Sequence, residues 1–293
     1  MIIAIFGLSI DPSFSPDLAR LFLLLKERQI KVYLYKPFLE FVKEQCSIQP
    51  DIAGVFISGH ELPATVRYLF SIGGDGTFLK SILTLKNKSI PVIGINLGRM
   101  GFLSAISRED MGEAIDHVLN NNFEIEERSV LQVDGEPDLF GDFNYALNEI
   151  TVTKMDTSSM INIHTYLNGE YLTTYWADGL IIATPTGSTA YSLSVGGPIL
   201  TPDSKSIIIT PIAPHNLTMR PIVVPDYNKL TLRVEGRGQQ FLASLDSRSE
   251  AVNFPGEIKI RKADFQVKTL KLAGHGFFST LRNKLMWGTD KRN

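Results

Sequence analysis

Apolar residues change their spacing near Phe123, and a chain that does so must build two different kinds of layer. Before that point, continuous apolar runs at 2–6, 31–35, 52–57, 66–70 and 91–96 alternate with helical spacing. The helical stretches carry Leu18, Leu21, Phe22 and Leu25 behind a Ser15-Pro16 start, then Phe38, Phe41 and Val42 behind Pro37. Phe78, Leu79, Ile82, Leu83 and Leu85 follow, and Met111, Ala114, Ile115, Val118 and Leu119 stand behind a Ser107/Asp110 capping box. Strands apolar on both faces, joined by helices, predict a doubly wound, mostly parallel sheet with ligands at its carboxyl ends. From Phe123 onward the period shortens to two. Strands are expected at 129–133, 146–153, 161–167, 171–175, 179–184, 206–210, 229–234, 240–245, 257–261 and 267–272, with Asn168-Gly169 as a hairpin turn. The expected organisation is an α/β domain over 1–122, a mostly antiparallel all-β domain over 123–272, and a tail at 273–293 packing back on the first domain. A length of 293 residues suits two cores.

Inside the first domain, Ser71-Ile72-Gly73-Gly74-Asp75-Gly76-Thr77-Phe78-Leu79-Lys80 leaves a strand, turns on glycines and enters a helix. Such a turn aims unpaired N–H groups and the positive end of a helix at one point, which favours phosphate. Gly73, Gly74, Gly76 and Thr77 would form that phosphate loop; the competing reading is a plain tight turn. It is neither a Walker loop nor the dinucleotide fingerprint, since Leu79 stands where a third glycine would be. Asp75 puts a negative charge where phosphate would bind, so it needs another task. Accepting a proton from an attacking hydroxyl and anchoring a metal both fit. Asn96 through Gly101, past the next strand, reads either as a second ligand loop or as a simple connection.

Three stretches of the β domain carry polar residues that a plain sandwich does not need. Asn148-Glu149 interrupts an apolar strand, which suits reading a nucleoside, or an edge facing water. Thr184-Pro185-Thr186-Gly187-Ser188-Thr189-Ala190-Tyr191-Ser192-Leu193-Ser194 is rich in hydroxyls and offers many neutral donors with one aromatic face. Ala213-Pro214-His215 makes a rigid loop after a strand. A net charge of −2 gives no general attraction to nucleic acid or anionic membranes, and no apolar run reaches the ~20 residues of a membrane span. The N-terminus lacks the basic leader of a signal peptide. Cys46 is the single cysteine, so no intrachain disulfide or cysteine metal cluster forms, which suits the cytoplasm.

Taken together, Gly73-Gly74-Asp75-Gly76-Thr77, Asn96-Leu97-Gly98 with Gly101-Phe102-Leu103, Asn148-Glu149, Asp178-Gly179 with the 184–194 turn, Gly196-Gly197-Pro198 and Ala213-Pro214-His215 make the chain resemble the NAD kinase family. The motifs stand in the family's order and span most of the chain. The resemblance implies transfer of the ATP γ-phosphoryl group to the adenosine ribose 2′-hydroxyl of NAD, with magnesium or another divalent metal held mainly through ATP's phosphates. It implies an active site between the two domains, and a homo-oligomer, dimer or tetramer, in which a neighbour completes the NAD site. Asp75 would accept the proton and, with Gly76, contact NAD. Asn148 and Glu149 would bind the nucleoside, Asp178 the nicotinamide half, and Thr189, Ala190, Tyr191, Ser192, Leu193 and Ser194 the adenosine pocket, with Ala213 nearby. Lys80 and Arg99 are candidates to offset phosphate charge, and Asn96 belongs to the second loop. Trp176 and Arg248 depart from the family, where many relatives carry a basic or small residue and a glutamine, and both bear on the nicotinamide side. Diacylglycerol and sphingosine kinases share the glycine loop, so a lipid kinase is one alternative; a non-catalytic nucleotide-binding protein is the other.

Overall fold

A strand apolar on both faces has to be covered on both, and β1 (Ile2–Gly7) is such a strand, buried from Ile3 onward. In the computed structural model, which describes residues 1–86, 88–98, 100–135, 139–155 and 159–286, it lies inside the sheet of the first of two units. That unit comprises Met1–Glu127 and the chain from Lys268 onward; the second is Arg128–Val267. After β1 come α1 (Ser15–Glu27), β2 (Lys31–Tyr35), α2 (Lys36–Gln45), β3 (Gly54–Phe56), β4 (Tyr68–Ile72), α3 (Asp75–Leu85), β5 (Val92–Asn96), β6 (Ile106–Ser107), α4 (Met111–Leu119) and β7 (Phe123–Arg128). The second unit holds β8 (Leu131–Asp134), β9 (Tyr145–Ala146), β10 (Glu149–Lys154), β11 (Ile161–Leu167), β12 (Glu170–Ala177), β13 (Gly179–Ala183), the one-turn α5 (Tyr191–Ser194), β14 (Ser206–Ile212), β15 (Ile222–Pro225), β16 (Leu230–Glu235), β17 (Gln240–Leu245), β18 (Arg248–Asn253) and β19 (Gly256–Lys262). The chain then returns through β20 (Val267–Leu272) to α6 (Phe277–Leu285).

The first sheet runs β3-β2-β1-β4-β5-β20-β7, with β6 paired to β5. The pairs joining β3, β2, β1, β4, β5, β6 and β20 are parallel. The chain moves outward from β1 to β3 and then crosses back to β4 on the other side of β1. Strand order therefore reverses between β1 and β4, and the glycine loop leaves the carboxyl end of β4, where open α/β sheets place their ligands. β7 and β20, at the two crossings between units, are hydrogen-bonded into this sheet, although their short period reads as part of the β domain.

Two local expectations are corrected. Ser15 does not cap α1: its hydroxyl donates to the Pro12 carbonyl at 2.6 Å and closes a 3-10 turn over Pro12–Phe14, which Asp11 caps by accepting the Ser13 N–H. The helix still buries Leu18, Leu21, Phe22 and Leu25. In α3 the buried side is Phe78, Ser81, Ile82 and Leu85, with Leu79 and Leu83 only partly covered. Ser81 fits there because its hydroxyl donates to the Phe78 carbonyl at 2.7 Å, leaving no free donor in the core.

The second unit is a sandwich of two antiparallel sheets, β15-β14-β13-β10-β17-β18 and β12-β11-β16-β19-β8-β9. Its core interleaves Val152, Ile182 and Phe241 of one sheet with Ile163, Leu232 and Ile258 of the other. β13 is buried on both faces, because Ile181 and Ala183 meet Val195 and Leu200 on the far side. The chain after β13 thus acts as a cover for its own strand. Asn168 (φ 51°) and Gly169 (φ 87°) form the expected hairpin turn with two positive φ angles.

Candidate functional site

In the first unit Gly73 takes φ +140°, and a side chain there would collide with the Thr77 hydroxyl, so the turn itself demands this glycine. Gly74 and Gly76 differ: each has nothing within 4 Å of where a Cβ would stand. Gly74 precedes α3 and its carbonyl accepts the Thr77 and Phe78 N–H groups at 3.0 and 3.1 Å. Asp75 does not point loosely into solvent. Its Oδ2 accepts the Phe102 N–H at 2.9 Å, and its Oδ1 accepts those of Leu103 and Ser104 at 3.0 and 2.9 Å. Gly101 makes this possible, since a Cβ there would lie 1.9 Å from Asp75 Oδ1. The Lys284 ammonium of α6 stands 3.8 Å from Asp75 Oδ2 and 4.9 Å from the centre of the Phe102 ring. The stretch after β5 is thus more than a connection: it fixes the carboxylate that the glycine loop presents. Asn96 is buried and holds the start of that stretch by accepting the Gly98 N–H at 2.8 Å. Lys80 is exposed on α3, and Arg99 lies outside the described residues.

In the second unit Asn148, just before β10, and Glu149, its first residue, are buried, and β10 lies between β13 and β17. The reading of an edge facing water fails. The Glu149 carboxyl is pushed up to about 8, first by burial and then by the like charge of Asp246, against one stabilising N–H from Tyr191. Its Oε2 is buried without a partner, as is the Thr186 hydroxyl nearby in sequence to Thr184. Burial also pushes Asp246 up, against the opposing pull of three backbone N–H groups and Arg248. Arg248 spends its terminal nitrogens on the carbonyls of Phe143 and Tyr145 and lies 5.7 Å over the Phe140 ring, which ties down the chain before β9.

Four hydroxyls of the 184–194 turn are spent on protein partners, two inside the turn and two beyond it, a correction to the expectation of free donors. Thr184 Oγ1 donates to Leu147 O at 2.6 Å, Ser188 to Pro185 O at 2.6 Å and Thr189 to Thr186 O at 3.2 Å. Ser192 is fully buried and shares a 3.0 Å hydrogen bond with Thr210. Surface is left at Tyr191 and Ser194, with Thr189, Ala190 and Leu193 partly covered. Asp178 stands at the start of β13, while Glu149 pairs with Ala183 at its end; along a strand that separation is roughly 17 Å. Asp178 is ion-paired with Lys154 at 2.6 Å. At the same end Trp176 is 54% exposed, its carbonyl accepts the His215 N–H at 2.7 Å, and Ala213 takes a positive φ of 44°. The candidates of this unit therefore form two groups, one around Glu149 and one around Asp178. Sequence reasoning missed Lys284, Lys154, Thr184's clamp and Asp246; each is an ordinary polar residue in its local context.

Two family models match: the ATP-NAD kinase N-terminal domain over residues 58–123 and the ATP-NAD kinase C-terminal domain over residues 147–272. Among curated proteins, the NAD kinase of Flavobacterium johnsoniae is 47% identical over 295 residues, covering 100% of both chains. That of Bacteroides fragilis is 48% identical over 289 residues, covering 99% of each. Among solved structures, an NAD kinase from Archaeoglobus fulgidus in complex with ATP is 28% identical with a TM-score of 0.75, covering 96% of this chain and 99% of its own. A yeast NADH kinase complexed with NADH, 22% identical, shares the fold with a TM-score of 0.85 over 99% of this chain and 89% of its own. The C-terminal match covers the stretch that a lipid kinase sharing only the glycine loop would not require. With both domain models and the full-length relatives in agreement, this chain belongs to the ATP-NAD kinase family.

Proposed function

We propose that this protein is an NAD kinase that transfers the γ-phosphoryl group of ATP to the adenosine ribose 2′-hydroxyl of NAD, forming NADP and ADP. The observation that carries the mechanism is the Asp75 carboxylate, held by three backbone N–H groups at the head of α3. A carboxylate offers about four acceptor positions, and three are used. The fourth, on Oδ2, takes the proton of the ribose hydroxyl as its oxygen bonds to phosphorus and the bond from phosphorus to the ADP oxygen breaks. Phosphoryl transfer passes through a loose transition state, so that proton leaves late and placement of the acceptor matters more than its basicity. Gly73, Gly74, Gly76 and Thr77 receive the ATP phosphates. The open space at Gly74 and Gly76 supports this, because neither the turn nor its neighbours require glycine there. Magnesium enters with ATP, bound through its phosphates. Among the described residues no three His, Cys, Asp or Glu side chains gather as a metal site.

Asn148 and Glu149 bind the adenosine, which the partnerless buried Oε2 supports. Thr189, Ala190, Tyr191, Ser192, Leu193 and Ser194 line the same pocket, Ser192 through its backbone, with Ala213 nearby, and Asp178 serves the nicotinamide half. Trp176 flanks that half, and Arg248 acts by holding the backbone before β9. The protein is a cytoplasmic homo-oligomer whose subunits complete one another's NAD site. No helix among the described residues is long and apolar enough to cross a membrane. Incubation with magnesium, ATP and NAD, followed by enzymatic detection of NADP, tests the proposal. Labelled phosphate appearing on diacylglycerol with none on NAD would overturn it.

A further inference from the structure

Leu147 and Asn148 span the gap between β9 and β10 and Glu149 opens β10, yet none of the backbone polar groups of these three residues goes without a partner. Asp246 Oδ2 accepts the Leu147 N–H at 3.0 Å, and its Oδ1 accepts the Asn148 and Glu149 N–H groups at 2.8 and 3.2 Å. On the carbonyl side, Leu147 O accepts from Thr184 Oγ1 at 2.6 Å, Asn148 O from Thr184 N at 2.9 Å and Glu149 O from Asp246 N at 3.0 Å. All six polar backbone groups of this segment are thus satisfied by two residues, Asp246 and Thr184. Asp246 takes φ +50°, a left-handed conformation that folds its carboxylate back over three successive amides. Gly187 completes the clamp, since a Cβ there would lie 2.1 Å from Asn148 O.

This arrangement is costly unless it serves the side chains it positions. A carboxylate close to a second buried carboxyl is unfavourable, and a hydrated or regular strand would satisfy the same amides without it. We propose that Asp246 is a positioning residue for NAD, holding the 147–149 backbone so that Asn148 and Glu149 present their side chains in one fixed place. Thr184 is its counterpart on the carbonyl side. The inference rests on the NAD kinase reading, and neither residue touches substrate.

The test compares steady-state kinetics of the full-length protein with those of Asp246→Asn and Thr184→Val. In Asp246→Asn an amide NH2 must face one of the backbone N–H groups, so the clamp opens while size is preserved. The KM for NAD should rise tenfold or more, with kcat changed less than threefold and the KM for ATP unchanged. Thr184→Val removes the donor to Leu147 O and the acceptor of the Gly187 N–H while keeping shape, and should show the same pattern at smaller amplitude. A purely structural role would lower the unfolding temperature and leave the KM for NAD alone in both variants, and that result overturns the inference. So does a fall in kcat with the KM for NAD unchanged. Should Asp246→Asn fail to fold, Thr184→Val decides by the same criterion. A wild-type protein that makes no NADP would instead refute the functional reading, which keeps the two failures apart.

Discussion

Replacing Glu149 by glutamine should turn a pH-dependent stability into a flatter one, and its size follows from the carboxyl's surroundings. Burial and Asp246 push the group from its ordinary 4.5 up to about 8. Below pH 4.5 folded and unfolded chains both carry the proton, and no penalty exists. Between 4.5 and about 8 the unfolded chain releases the proton while the folded chain keeps it. Stability therefore falls with rising pH by about 1.4 kcal/mol per unit. Above about 8 both states are ionised and the full cost, about 5 kcal/mol for a shift from 4.5 to about 8, is present. Glutamine cannot ionise, so the stability of Glu149→Gln minus that of wild type should climb with that slope from pH 5 to 8 and then level off. Urea denaturation of the ligand-free proteins, followed by circular dichroism at half-unit steps from pH 5 to 9, measures the difference directly. A difference that does not vary with pH would mean that Glu149 ionises normally in the fold, and the reasoning about its buried environment would be wrong.

Other changes probe the rest of the site. Asp75→Asn should lower kcat by ~10²–10⁴ while NAD still binds; near-normal turnover across a magnesium titration would end the assignment of Asp75 as proton acceptor. Gly101→Ala places a methyl 1.9 Å from Asp75 Oδ1, so the carboxylate must leave its three amides, and activity should fall nearly as far as in Asp75→Asn. Unchanged kcat in this variant would show that the observed carboxylate position is not the working one. Gly187→Ala meets the Asn148 carbonyl, a backbone atom that cannot swing aside, and should cost about 1–3 kcal/mol in urea denaturation; equal midpoints for the two proteins would contradict the packing described.

Local spacing reported what each stretch would bury. The run Ile3–Phe6 could only be an interior strand, Asn168-Gly169 could only turn with two positive φ angles, and the helix faces of α1 and α4 were readable from one side chain in three or four. Less legible were β15 and β18, where one face is open and the alternation is weak, with Ile222 and Val223 exposed. The glycine loop was legible as a loop, and its aspartate as an anomaly, because a negative charge among phosphate donors contradicts its surroundings.

What Asp75 and Glu149 would meet was not legible. The amides that hold Asp75 lie 27–29 positions further along the chain, and the Asp246 carboxylate lies 97–99 positions from the amides it clamps. In its own context Asp246 is one polar residue between two strands, which looks the same whether water or three backbone N–H groups surround it. β7 and β20 likewise carry the period of the β domain, yet they pair with the parallel sheet. Period is a property of a strand's own two faces, so the sequence alone determined most of the strands, helices and turns, the weakly alternating β15 and β18 excepted. Partnership depends on which other segment the closed chain brings alongside, so only the tertiary structure decided which sheet each strand joins and which carboxylate each amide finds.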